Sequence, residues 1–169
     1  MNKRDVVREV SLLSFSCARN IAYYRAGWKN DRFCSHDDFW RDVNSNFLDV
    51  AVLEWCKIYG SKKQIHHWSK VINDIESFQT SLFETIQINK KQFKNYCVEM
   101  KAYRDKFVEQ IDEERYFLIP DLTIAVESII FLYNKIREEY SKFLYDGPHN
   151  LGDSYQEFLR RGIKFYPQL

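Results

Sequence analysis

A chain of 169 residues, 45% of them hydrophobic, is expected to form one domain (residues 1–169) with enough apolar material to bury a core. Its 25 basic and 24 acidic side chains leave a net charge of +1, so no bulk attraction to nucleic acid or to an anionic membrane exists and any such contact has to be local. Only 5 Gly and 3 Pro interrupt the chain while 29% of its residues are charged, which predicts long helices with short connections rather than a turn-rich sheet.

The helical spacing of Val6, Val7, Val10, Leu13, Ala18 and Ile21 predicts a first helix from about Arg4 to Ala26, broken by GWKNDRF. In the following SHDD, Ser35 is expected to cap a second helix, with Asp38 reaching back to the cap's amide. That helix runs to Tyr59, where Gly60 and Ser61 stop it. Its expected apolar stripe is Phe39, Val43, Phe47, Val50 and Ile58, and Glu54 falls inside it, so this carboxylate needs a partner. A third helical stretch is expected over roughly Ile65 to Ile86, with the least certain register.

INKKQF restarts the chain, with Asn89 as cap and Gln92 as its capping-box partner. The fourth helix is expected from about Lys90 to Ile111. Phe93, Cys97, Met100, Phe107 and Ile111 fall within about 40° of one line on its wheel, and Arg104 stands among them. The next helix carries Leu122, Ala125, Val126, Ile129, Tyr133, Ile136 and Phe143 as its stripe, with Pro120 in its first turn and DGP ending it. A short last helix, about Asp153 to Lys164, turns Tyr155, Phe158 and Leu159 inward. Together these predict an all-α, up-and-down bundle of about five or six helices.

The first ten residues lead into no signal-peptide core, and no apolar run approaches the ~18 residues that a membrane span needs, so a cytoplasmic protein without a membrane partner is expected. Cys17, Cys34, Cys56 and Cys97 form no CxxC pair and are expected as free thiols. Cys34, His36, His66 and His67 have no local ligand spacing that calls for a metal.

An arginine on an apolar stripe has two readings. It pairs with a buried carboxylate, for which Glu54 is the candidate, or it faces a cleft or subunit seam, where a planar guanidinium with five donors clamps a phosphate. The stretch YRDKFVEQID resembles the motif of the HEPN superfamily (higher eukaryotes and prokaryotes nucleotide-binding), all-α domains in which Arg and a polar residue are followed a few positions later by His. The branch it resembles is the abortive-infection-related one, which typically reads RDKFVAH here. NFLDVAVLEWCKIYGS with the later HHW, and IPDLTIAVESIIFLY downstream, are similar to the same branch, so the likeness spans roughly residues 46 to 136.

The resemblance implies a metal-independent endoribonuclease fold without a cofactor, often a toxin or phage-defence effector, usually a homodimer, and frequently paired with a nucleotidyltransferase-type antitoxin. It implies that Arg104, with Tyr103 beside it, contacts the RNA phosphate and stabilises charge in the transition state, and that Asp105 is the motif's polar residue. Gln110 stands where the family has its proton-transferring His. An amide positions a ribose but does not titrate near neutral pH, and general acid or base help is worth roughly 10²- to 10⁴-fold in rate, so a weakened or lost active site is expected. Glu109 is an alternative base, although at ~100° per residue it points nearly opposite to Arg104. His66 or His67 is a better one, because HHW recurs in the resembling branch; His36 and His149 are further histidines.

Aromatic residues make up 17% of the chain, and Trp28, Trp40, Trp55 and Trp68 offer either core or stacking surfaces for single-stranded bases. Three functions follow: a weakened ribonuclease, a non-catalytic relative that binds RNA, nucleotide or protein as a regulatory or immunity module, and a helical scaffold with no nucleotide role.

Overall fold

The computed structural model describes residues 2–109, 119–141 and 147–167. Within them the chain is an all-α helical bundle with six α-helices and one two-stranded hairpin. Helix α1 (Lys3–Ala26) is capped by Asn2, whose side chain accepts from the Asp5 amide at 2.9 Å. It is the hub, packed on α2 (Asp38–Tyr59), α5 (Leu122–Glu139) and α6 (Leu151–Phe165). Val10, Cys17, Ala18, Ile21 and Ala22 are fully buried along it. Ser11 and Ser14 are buried there as well, and each hydroxyl donates to a carbonyl one turn back at 2.8 Å, so neither is left unsatisfied.

GWKNDRF does more than break the helix. Trp28–Lys29 (β1) and Arg32–Phe33 (β2) pair antiparallel through a two-residue turn in which Asn30 and Asp31 both take positive φ, 50° and 59°. Gly27 opens the way, because a Cβ there would lie 2.5 Å from the Asn44 amide nitrogen and 2.8 Å from the Phe33 ring.

Helix α2 begins two residues later than a Ser35 cap requires. Asp37 is the cap, accepting from the Phe39 amide at 2.9 Å, while Ser35 accepts from the Asp37 amide. Its buried face is Asn44, Leu48, Asp49, Ala51, Val52, Trp55, Cys56, Ile58 and Tyr59, rotated from the expected stripe, and Phe39 is 63% exposed. The physical reason is polar burial. Asn44 donates to the Tyr24 carbonyl and the Tyr166 hydroxyl, both at 2.8 Å, and accepts from Trp28 Nε1 at 3.1 Å, so a fully bonded amide occupies a position that hydrophobicity alone would leave outside.

The expected third helix is divided. His67 caps a 3-10 turn, Trp68–Lys70, and Asp74 caps α3 (Ile75–Thr85), so two short elements replace one long one. Trp68 stacks on Phe78 with ring centroids 4.8 Å apart. The capping box before α4 (Lys90–Glu109) forms as expected, with Asn89 and Gln92 exchanging side-chain bonds to each other's amides at 2.8 and 2.9 Å.

Helix α4 packs on α2 through Phe93, Tyr96 and Met100. There Trp55 meets Tyr59, Phe93 and Tyr96, and its indole donates to Ser128 of α5 at 3.0 Å. The expected stripe of α5 is buried from Leu122 to Ile136, but Asp121 is its cap, which puts Pro120 ahead of the helix rather than in its first turn. Phe143 lies outside the described residues. Helix α6, capped by Asn150, buries Tyr155 and Phe158. A Cβ at Gly162 would sit 2.6 Å from that of Ala26, so glycine lets α6 close on the end of α1. Among the described residues no helix is long and apolar enough to cross a membrane.

Candidate functional site

Arg104 lies one turn beyond the fully buried Met100, at the outer margin of the α2–α4 seam, with its side chain 23% exposed. Its guanidinium is oriented by the next residue. Nε donates to Asp105 Oδ1 at 2.8 Å and Nη2 donates to the same oxygen, which among the described residues leaves three of its five N–H groups for other acceptors. The Arg104 charge also reaches the buried Cys56 thiol of α2. Burial pushes that thiol up to about 12, and Arg104 pulls in the opposite direction. Cys97 on α4 is raised by burial to about 11, so neither sulfur is a thiolate near neutral pH.

Tyr103 turns inward. Its hydroxyl donates to Asp49 Oδ1 at 2.8 Å, tying α4 to a buried carboxylate on α2, and burial followed by Asp49 pushes the phenol well above its ordinary value. Its hydroxyl proton is therefore engaged inside the protein rather than presented to a phosphate. Tyr103 also lines a concavity of about 430 Å³ between the hairpin and α2.

Glu54 is not the partner of Arg104. Cys56 faces the Arg104 side of α2, and Glu54, two residues earlier and ~200° around the helix, faces α1, where it accepts from Asn20 Nδ2 at 3.0 Å. Burial raises the Glu54 pKa, opposed by hydrogen bonds from Ser16 and Asn20 and by the Lys57 and Arg19 charges. His66 enters the same groove, which has a volume of about 510 Å³ and is also lined by Glu9, Ser16 and Lys57. The His66 Nε2 lies 2.6 Å from Glu9 Oε2. Two of the expected site residues, Glu54 and His66, thus come together, but with α1 rather than with Arg104.

His67 is structural. It is buried, its Nδ1 accepts from the Ser69 amide at 3.2 Å to cap the 3-10 turn, and burial, then Lys62 and Lys70, lower its pKa to about 4. His149 lies near Arg137, and His36 is exposed. Gln110 and the side chain of Glu109 lie outside what the structure describes. Among the described residues no group of three or more His, Cys, Asp and Glu side chains is arranged to hold a metal, and all four cysteines are free.

Glu9, Ser16 and Lys57 carry no sequence signal for a site, because helical spacing alone does not reveal which residues of α1 and α2 meet across the groove. The hairpin does carry one: two aromatic residues flank the tight Asn-Asp turn. Along α4, six basic side chains (Lys90, Lys91, Lys94, Lys101, Arg104 and Lys106) accompany three acidic ones (Glu99, Asp105 and Glu109), a local excess absent from the chain as a whole. Compared with protein-family models, curated proteins and solved structures, the chain matches none.

Proposed function

We propose that this is a HEPN-like RNA-binding protein, related to metal-independent endoribonuclease toxins and phage-defence effectors, in which Arg104 still holds a phosphate while cleavage is weakened or lost. The observation that carries the reading is the setting of Arg104. It is part-exposed on a helix with twice as many basic as acidic side chains and aimed by Asp105, with three N–H groups left, among the described residues, for an anion. A guanidinium serving the core alone would pair with a buried carboxylate, and Glu54 is engaged with Asn20 instead.

The regulatory reading, a non-catalytic module that binds RNA, nucleotide or a protein partner, is favoured by one further observation. His66 pairs with Glu9 and His67 caps a turn, so neither stands in for the histidine replaced by Gln110. A homodimer with a composite site, a nucleotidyltransferase-type antitoxin as partner and a cytoplasmic location complete the proposal.

The test is to incubate the purified protein with total RNA and a chelator, beside Arg104→Ala and Gln110→His. The expected result is little or no cleavage by the parent and a gain of at least about 10²-fold in Gln110→His, the lower end of what a general acid or base contributes. Cleavage by the parent that disappears in Arg104→Ala would identify a working enzyme. Inert RNA in all three, with no RNA bound, would overturn the nucleic-acid reading.

A further inference from the structure

The concavity between the hairpin and α2 uses neither Arg104 nor cleavage chemistry. Tyr24, Trp28 and Phe33 wall it, with the Trp28 ring 6.1 Å from Tyr24 and 5.5 Å from Phe33. These rings are held in place. Trp28 Nε1 donates to Asn44, whose own amide is tied to the Tyr24 carbonyl and the Tyr166 hydroxyl, so the indole plane is set from behind. The hairpin that sets Trp28 against Phe33 turns through Asn30 and Asp31, both at positive φ, a tight two-residue connection that fixes the register of the two strands. Yet Trp28 remains 42% exposed. A fixed aromatic ring, part in solvent and beside a concavity, is an arrangement that stacks a planar heterocycle.

Charge narrows the class of ligand. Among the described residues that line the concavity Arg41 is the charged one, and its ion pair with Asp38 is long, 4.0 Å, with both side chains mostly exposed. Such a pair is worth little and leaves the guanidinium free to recruit an anion. A positive lining disfavours the organic cations that aromatic cages otherwise attract. The volume of about 430 Å³ lies within the range of small-molecule sites.

We propose that this concavity binds one nucleotide, the base stacked on Trp28 and the phosphate on Arg41, either as a free nucleoside monophosphate or as one residue of a single strand. Tyr103, with its hydroxyl engaged by Asp49, forms part of the wall. The proposal stands apart from the Arg104 reading, since among the described residues that line the concavity the charged group is Arg41 and not Arg104.

The experiment titrates the full chain with adenosine monophosphate, adenosine and a short oligoadenylate, followed by tryptophan fluorescence and calorimetry. The parent should bind the monophosphate saturably and more tightly than adenosine. Trp28→Ala should weaken it at least tenfold and Arg41→Gln several-fold. Because Arg41 is exposed, its variant keeps the fold and decides the matter even if Trp28→Ala unfolds. Tighter binding of the oligoadenylate assigns the strand as the source, and equal binding assigns the free nucleotide. The proposal is overturned if neither phosphate-bearing probe binds saturably or if Arg41→Gln binds as the parent does.

Discussion

Glu54 on α2 and Arg104 on α4 present the same anomaly, a charge on an apolar stripe, and the protein resolves them in different ways. Glu54 is taken into the structure, where Asn20 donates to it across the α1–α2 groove and burial raises its pKa. Arg104 is turned to the edge of the α2–α4 seam and held by its own neighbour Asp105. An ion that neighbouring elements satisfy is part of the packing, whereas one whose bonds, among the described residues, go to the adjacent residue keeps donors for something outside. That contrast separates the scaffold from the candidate site.

Changes on the scaffold side of the α2–α4 seam should have the largest effect on folding. Tyr103→Phe removes a donor from the buried Asp49 carboxylate and should cost about 1–3 kcal/mol, seen in thermal unfolding as a fall of roughly 2–4 °C per kcal/mol. An unchanged melting temperature would mean that Tyr103 is not part of the scaffold.

Glu54→Gln should act more weakly and with a defined pH dependence. A carboxyl whose folded-state pKa is raised holds its proton more firmly in the folded than in the unfolded chain, so stability falls as pH rises from the ordinary carboxylate value through the raised one. The amide still accepts from Asn20 and does not ionise. The variant should therefore gain on the parent above that window and lose the advantage below it, and a melting-temperature difference independent of pH would contradict the burial argument.

Much of the fold was legible because it follows local rules. The α1 and α5 stripes depend on spacing, and the Asn89–Gln92 box on two residues three apart. What escaped depends on contacts between distant segments. Asn44 is buried because Tyr24, Trp28 and Tyr166 bond it, so the phase of α2 does not follow from hydrophobicity. His67 and Asp74 end and begin elements where spacing alone suggests continuity.

At the site, Arg104 stood out as an anomaly, but its partner did not. Which side of α2 faces α4 decides between Glu54 and Asp105, and that is a property of the packed bundle. The His66–Glu9 pair joins positions 57 residues apart, and the groove that they share with Glu54 has no signature along the chain.

The central claim is that Arg104 serves a ligand rather than the core, and single-stranded RNA binding measured across a salt series tests it most directly. Arg104→Ala should melt within about 1 kcal/mol of the parent, as loss of a partly exposed pair does, yet bind RNA more weakly with a salt slope reduced by roughly 0.7, the loss of one phosphate contact. A variant that binds RNA with the parent's affinity and slope, or that loses several kcal/mol of stability, would place this arginine in the scaffold and contradict the account.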